Sequence, residues 1–217
     1  TERFERFEGF ERFGGVVRVT GDLVVGAGSW LYPWCDVKNL AASCFDVGGA
    51  FTVEAGGTVM ADRRGGMGGR GGSGWLSYFD DLKSSSEGGR GLGASSNTGS
   101  SHGGVGGVGY ASKSDATTGR AGSLVDDEWT ADCPGAGGGG GGYGEGGEGG
   151  GLVFVTARGP ITVDGAITAN GWFGSYNNLG SATSNSGYAW YFGSGAGGGI
   201  RLYGAAFAGA GRLSACG

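Results

Sequence analysis

The sequence predicts an all-β protein in which short strands stack as the repeats of a β-solenoid, with glycine-rich tracts beside them. Segments 16–31, 45–62, 152–170 and 200–216 share one pattern, in which short apolar alternating runs are separated by Gly-containing corners. AFTVEAGGTVMAD and PITVDGAITAN match each other along their length. Asn-Gly and Asp-Gly hairpin signals are scarce, which favours a solenoid over the alternative, an antiparallel β-sandwich with long Gly-rich loops.

Composition restricts the functional classes. The chain has 217 residues, 57 of them Gly and 3 Pro, and a net charge of −5. Its basic residues are scattered singly, which argues against a nucleic-acid surface because such a surface needs clustered Lys and Arg. No apolar run approaches the roughly 18 residues of a membrane span. We expect a single Gly-rich β domain over residues 16–217, preceded by an arm over residues 1–15.

The N-terminal arm, TERFERFEGFERF, repeats every three residues. A threefold extended helix of the polyproline II type would bring its phenylalanines to one edge. A row of exposed Phe is typical of an interaction surface, so we predict that this row contacts a neighbouring subunit. A short amphipathic helix folded back on its own domain is the alternative. The residues of the predicted subunit interface are Phe4, Phe7, Phe10 and Phe13.

The glycine tracts are also patterned. Residues 65–74, 103–109 and 144–150 carry GGX or GXG repeats with a period of three. This period permits polyglycine II-like helices, which have no internal hydrogen bonds and must therefore bond to one another. Such tracts would lie side by side; the alternative is that they are flexible loops between the strand repeats.

The four cysteines show no CxxC spacing, so a zinc site is not expected. Two disulfides are the preferred interpretation, and they imply an oxidising, extracellular compartment. Of the three possible pairings we favour Cys35 with Cys44, which closes a short loop, and Cys133 with Cys216. Four free buried thiols are the alternative.

The segments GGGLVFVTARGPITVDGAITANG and GSGAGGGIRLYG resemble the Gly-rich right-handed β-helix repeats of secreted adhesin-like and cell-surface fibre proteins. The resemblance covers residues 16–62 and 135–217 and implies a secreted or surface-exposed scaffold. The GGX tracts also resemble the glycine-rich motifs of phage tail-fibre tip adhesins, whose polyglycine II sandwich displays receptor-binding loops. The strong β runs and the cysteines depart from that second pattern.

Catalysis and metal binding are not expected. The adjacent acids Asp80-Asp81 and Asp126-Asp127 would point to opposite faces of a strand, so neither pair makes a catalytic site. No segment supplies the calcium-binding nonapeptide of β-rolls or a phosphate-binding loop. We predict no catalytic residue, no metal and no cofactor.

An aromatic segment over residues 171–192 combines seven aromatic residues with Asn and Ser. This composition suits a protein interface or a glycan-binding face, and simple packing over the end of a solenoid is the third possibility. The predicted interface or glycan residues are Trp172, Phe173, Tyr176, Tyr188, Trp190 and Tyr191.

Together these features indicate a non-enzymatic extracellular structural protein, a self-assembling subunit of a filament or surface appendage. Its expected partners are copies of itself, because open solenoid ends and an aromatic arm favour head-to-tail association. The alternative function is a receptor- or glycan-binding adhesin module, such as a tail-fibre tip.

Overall fold

The computed structural model describes residues 15–36, 41–68, 101–102, 132–139, 144–173, 175–176 and 193–217. Over these residues the protein is all-β and contains no helix. In chain order the strands are β1 (Gly15–Val19), β2 (Leu23–Val25), β3 (Trp30–Leu31), β4 (Cys35–Asp36), β5 (Ala41–Val47), β6 (Phe51–Val53), β7 (Thr58–Met60), β8 (Gly144–Glu145), β9 (Leu152–Ala157), β10 (Ile161–Val163), β11 (Ala166–Thr168), β12 (Ser175–Tyr176), β13 (Gly199–Tyr203), β14 (Phe207–Ala208) and β15 (Arg212–Ser214).

Twelve of these strands form three sheets of parallel strands. The orders are β1-β5-β9-β13, β2-β6-β10-β14 and β3-β7-β11-β15. Three consecutive strands therefore contribute one strand to each sheet, and we call each such triplet a repeat; the structure contains four, beginning at β1, β5, β9 and β13. They coincide with the four segments that share one sequence pattern. The arrangement is compatible with a β-solenoid, whereas an antiparallel sandwich would pair neighbouring strands in opposite directions.

The strand register runs through all four repeats without a shift, so equivalent residues form columns. Val17 pairs with Phe45, Phe45 with Val155 and Val155 with Leu202. Because side chains alternate along a strand, every second column points inward. The inward columns form the main core, and most of their members are buried in the two middle repeats. These core residues include Phe45, Val47, Phe51, Val53, Val59, Val153, Val155, Ile161 and Ile167.

The corners between strands are held by acidic side chains and by glycine. The backbone N–H of Ala50 donates to Asp22 Oδ1 at 2.7 Å, and that of Ala210 donates to Asp164 Oδ1 at 3.1 Å. Each bond joins one repeat to the next. Gly56 occupies the corner before β7 with φ 84°, a conformation that side-chain-bearing residues rarely adopt. The corners are thus linked to one another along the stack.

A short strand, β4, extends the first sheet beside the N-terminal end of β5. The strand β4 pairs antiparallel with β5, with Cys35 opposite Ala42. It contributes to a second apolar cluster, separate from the main core. The cluster contains Ala42, Cys44, Leu152 and Phe154, with Cys35 packed against them.

Five segments, four of them rich in glycine, pack together outside the three sheets, and we call them the glycine bundle. They are joined by backbone hydrogen bonds between segments. Segment 146–151 bonds to each of the other four: Gly65 donates to Gly149, Gly135 to Gly150, Trp172 to Glu148, and Gly147 to Gly193. The segments of the bundle are 62–68, 132–139, 146–151, 169–173 and 193–198.

The hydrogen bonds of the bundle recur every three residues. Gly147 and Gly150 donate to Gly193 and Ala196 at 2.8 and 2.9 Å. The same step of three separates the donors Gly135 and Gly138, which bond to Gly150 and Gly147. Most of these glycines touch a neighbouring backbone where a side chain would begin, and a Cβ at Gly147 would overlap the carbonyl oxygen of Trp172. Backbone therefore packs directly against backbone in this region.

Candidate functional site

The first-repeat edge consists of the outer sides of β1, β2 and β3. Among the described residues no strand pairs with these outer sides. Inward-facing Val17, which would be buried in a middle repeat, is 45% exposed, and Trp30 on β3 is 57% exposed. Val17 therefore ends its core column in contact with solvent, whereas Leu23 and Leu31 are half-buried and Val25 is buried.

The last-repeat edge consists of the outer sides of β13, β14 and β15, and it has the same character. Phe207 and Leu213 continue inward-facing columns, yet they are 61% and 56% exposed. Tyr203 is held in place because Arg201 Nε donates to its hydroxyl at 2.7 Å. Arg201 also forms an ion pair with Asp132. This edge combines exposed apolar residues with an arginine that is held by an ion pair and a hydrogen bond.

A third surface, the Trp172 cluster, consists of Arg63, Glu148, Trp172 and Phe173. The rings of Trp172 and Phe173 stack with their centroids 4.2 Å apart. The Arg63 guanidinium lies 4.3 Å from the centroid of the Trp172 ring and donates from Nε to Glu148 at 2.7 Å. Phe173 is exposed.

The glycine bundle positions this cluster. The N–H of Trp172 donates to Glu148, and its carbonyl accepts from Gly195, so the backbone is fixed on both sides. Glu148 occupies the side-chain-bearing position of a GGX repeat and therefore projects from the bundle. Arg63 has φ 59°, a left-handed conformation that is uncommon for a residue other than Gly.

Of the six predicted aromatic site residues, the structure places the side chains of Trp172 and Phe173 together. Tyr176 lies in β12, which pairs antiparallel with β8. The predictions for Tyr188, Trp190 and Tyr191, and for the arm residues Phe4, Phe7, Phe10 and Phe13, concern positions outside the described residues.

Neither predicted disulfide is formed in the structure, because Cys35, Cys44 and Cys216 are thiols there. Cys35 lies opposite Ala42 and therefore diagonal to Cys44. Diagonal positions on antiparallel strands are about 7–8 Å apart, beyond the Cα separation of about 4.4–6.8 Å that a disulfide requires. Cys133 is buried, whereas Cys216 is exposed, with its Sγ 3.6 Å from Ser214 Oγ.

The buried thiols are poorly ionised. Burial raises the pKa of the Cys44 thiol to about 11, and the nearby carboxylate of Asp46 adds to this effect. Burial also raises the pKa of Cys35, against the opposing effects of the Leu152 carbonyl and Arg64. Because the thiolate is the reactive form, these two cysteines act as small apolar core residues.

Sequence reasoning missed an aromatic row in the first repeat. Trp30, Tyr32 and Trp34 are all exposed, and the planes of Trp30 and Tyr32 differ by 11° with centroids 6.2 Å apart. The guanidinium of Arg64 lies 5.5 Å from the Tyr32 ring. The sequence WLYPW could have predicted this row, because its aromatic residues alternate with the two-residue period of an extended chain.

The described acidic residues serve the architecture. Asp62, for example, accepts from the N–H of Asn170 at 2.7 Å and so joins the second repeat to the third. No group of three or more His, Cys, Asp or Glu residues that could hold a metal ion occurs within the described ranges. Nor do those ranges include a helix long and apolar enough to cross a membrane.

Comparison with known proteins gave no further information: no family model, curated protein or solved structure matches the chain.

Proposed function

We propose that this protein is a non-enzymatic extracellular structural protein, a self-assembling subunit of a filament or surface appendage. The observation that carries the proposal is the exposure of core-column residues at both edges, Val17 at the first-repeat edge and Phe207 and Leu213 at the last-repeat edge. An open strand edge offers unpaired N–H and C=O groups to another chain, and exposed apolar columns add a driving force for association.

We further propose that the strand repeats form a β-solenoid and that the glycine bundle has polyglycine II-like packing. The parallel, unshifted register of the three sheets supports the first part. The second is supported by inter-segment hydrogen bonds that recur every three residues, as a threefold extended helix requires.

The extracellular location rests on the resemblance to secreted Gly-rich repeat proteins, since the disulfides that also indicated it are absent. Protease treatment of intact cells from the natural source, followed by immunoblotting, tests it. Loss of the intact band when protease is added to unlysed cells would agree with surface exposure. Full protection until the cells are lysed would contradict it.

Electron microscopy and sedimentation velocity of the purified chain over a concentration series test self-assembly. We expect filaments or large oligomers whose mass rises with protein concentration. A monomer at every concentration would contradict the proposal. Deleting residues 1–13 in parallel would show whether the predicted Phe4, Phe7, Phe10 and Phe13 arm is needed.

Glycan binding is the second candidate function, and the Trp172 cluster favours it. Stacked aromatic rings beside a charged pair suit the apolar face and hydroxyl groups of a sugar. The indole Nε1 of Trp172 is buried and has no hydrogen-bond partner among the described residues. A glycan array probed with the wild type and with Phe173→Ala tests this function, because binding that requires Phe173 would support it and no binding by the wild type would contradict it.

A further inference from the structure

We infer that two copies of this chain join end to end, with the last-repeat edge of one copy pairing in register with the first-repeat edge of the next. The inference rests on the proposed self-assembly and specifies its interface. It predicts a continuous stack in which β13, β14 and β15 lie beside β1, β2 and β3 of the neighbouring copy.

The lengths and directions of the strands permit this pairing. β13 and β1 each contain five residues, and the strands of all three sheets run parallel through the four repeats. A parallel stack can be extended only by joining unlike edges, since two identical edges would meet with antiparallel strands. The fit is therefore head to tail, which produces an open polymer unless the rotation between copies closes a ring.

The inward columns continue across the junction with apolar residues on both sides. Extending the observed register places Leu202 beside Val17 and Phe207 beside Leu23. The same extension places Leu213 beside Leu31. In each pair, the residue of one copy would cover the residue of the other, as neighbouring repeats cover the corresponding residues in the middle of the stack.

The outward columns bring arginine next to aromatic rings. Trp30, Thr58, Ala166 and Arg212 form one column, so Arg212 of one copy would lie beside Trp30 of the next. A second column ends in Arg18 on one edge and Tyr203 on the other. Neighbouring parallel strands lie about 4.8 Å apart, within the roughly 6 Å over which a cation and an aromatic ring attract.

Charge also favours unlike edges. Residues 199–217 contain two basic residues, Arg201 and Arg212, and no Asp or Glu, although the whole chain has a net charge of −5. Arg201 is paired with Asp132, so Arg212 is the cation that two like edges would bring together. Two last-repeat edges would therefore bring like charges together. The first-repeat edge offers Trp30 and the carboxylate of Asp22 instead, and its Arg18 faces the carboxylate of Asp46.

Charge substitutions test the predicted contact. Arg212→Glu removes the cation, and Trp30→Arg places a second cation opposite Arg212, so each should reduce the polymer fraction in sedimentation at least tenfold. The double variant places opposite charges face to face and should recover assembly. Arg158→Glu makes the same charge change at an exposed corner away from both edges and should assemble like the wild type.

A second test uses cross-linking between outward-facing positions and does not depend on charge. Val24 and Ala208 end one column, so their Cα atoms should lie about 4.8 Å apart across the junction, within disulfide range. In a Cys216→Ser background, Val24→Cys combined with Ala208→Cys should give reducible covalent multimers upon oxidation. Val16→Cys combined with Ala208→Cys joins different sheets and should give few.

The possible outcomes distinguish a failure of the proposed end-to-end interface from a failure of the proposed self-assembly. Absence of polymer in the wild type would overturn both. If the wild type assembles but Arg212→Glu and Trp30→Arg also assemble normally, the end-to-end interface is wrong, whereas self-assembly stands. Cross-links between two Val24→Cys positions would overturn the end-to-end interface in favour of pairing between like edges. Assembly that depends on residues 1–13 alone would overturn it in favour of the N-terminal arm.

The circular dichroism spectrum of each variant must match that of the wild type. If a charge variant does not fold, the cross-linking of the cysteine pair decides whether the interface is correct.

Discussion

The strand repeats and the glycine bundle are two opposite solutions to packing within one chain. In the repeats, apolar side chains such as Phe51 and Ile161 fill the interior and are fully buried. In the bundle, backbone segments touch directly and hydrogen bonds recur every three residues. The first region is stabilised mainly by removing apolar surface from water, and the second by close contact and satisfied backbone groups.

This difference predicts different tolerance to substitution. A side-chain core accepts aliphatic exchanges of similar volume at modest cost. The bundle has no such freedom, because at Gly147 or Gly150 even a methyl group meets a carbonyl oxygen. Substitutions should therefore be tolerated least in the glycine bundle, although its sequence is the least varied part of the described chain.

The largest effect is expected in the bundle. Gly147→Val should prevent folding, and Gly147→Ala should lower the free energy of unfolding by more than about 3 kcal/mol, since the new atoms overlap backbone that cannot move aside. Denaturant unfolding followed by circular dichroism measures both. Gly21→Ala is the matched control, because a Cβ there meets nothing within 4 Å. Equal stability of the Gly147→Ala and Gly21→Ala variants would show that the bundle is not packed backbone to backbone.

The side-chain core should respond in a graded way. Ile161 is fully buried, so Ile161→Ala should lower the free energy of unfolding by about 2–5 kcal/mol, and Ile161→Val by only about 0.5–1.5 kcal/mol. Denaturant titration of the two variants gives both values. A loss as large for Val as for Ala would mean that the core, like the bundle, cannot adjust to a small change in volume.

A smaller effect is expected at the second apolar cluster when the pH is raised. The Cys44 thiol has a reference pKa of 9.0 and a pKa of about 11 in the folded protein. Between these values the unfolded chain loses a proton that the folded protein keeps, so stability is intact below about pH 9 and falls as the pH rises toward 11. The loss should be at most about 2–3 kcal/mol.

Comparing the wild type with Cys44→Ala at pH 8 and pH 11 isolates this contribution, because other titrating groups are present in both. The wild type should lose more stability than the variant. Equal losses would mean that the buried thiol does not affect stability in this range.

The smallest effect is expected at the corners. Asp22→Ala removes the acceptor of the Ala50 N–H and should lower the free energy of unfolding by about 1 kcal/mol. Asp46→Ala is the matched control, because its carboxylate accepts no such corner bond and forms a long, solvent-exposed ion pair with Arg18 at 3.8 Å, which should contribute about 0–0.5 kcal/mol. If thermal unfolding shows the reverse order, the corner bonds do not help to hold the repeats together.

The sequence predicted the strand repeats well, because their information is local. Alternation of apolar residues and Gly-containing corners placed the strands in segments 16–31, 45–62, 152–170 and 200–216. Side-by-side association was one of two interpretations that the sequence left open for the glycine tracts, since a backbone without internal bonds must find partners elsewhere. The bonds of residues 65–66 and 147–150 agree with it, and residues 69–74 and 103–109 lie outside the described residues. Which segments bond to which could not be predicted, because glycines carry no distinguishing side chain.

The disulfide prediction failed for a related reason. Counting cysteines gives no distances, and the two-residue offset between Ala42 and Cys44 is visible only once the register of β4 on β5 is known. Similarly, Trp30 is unremarkable within a strand until its repeat is found at the edge of the stack. Register and position in the stack arise from tertiary pairing, which one sequence does not show.

The glycine bundle also has a consequence for how such a chain can diverge. Aliphatic positions in the strands can drift among Val, Ile and Leu, so sequence identity there would decay quickly between descendants of one ancestor. Glycines that touch neighbouring backbone, such as Gly147, Gly150 and Gly195, have no permitted substitute. Distant relatives should therefore be recognisable by the spacing of these glycines after the strands have lost detectable similarity.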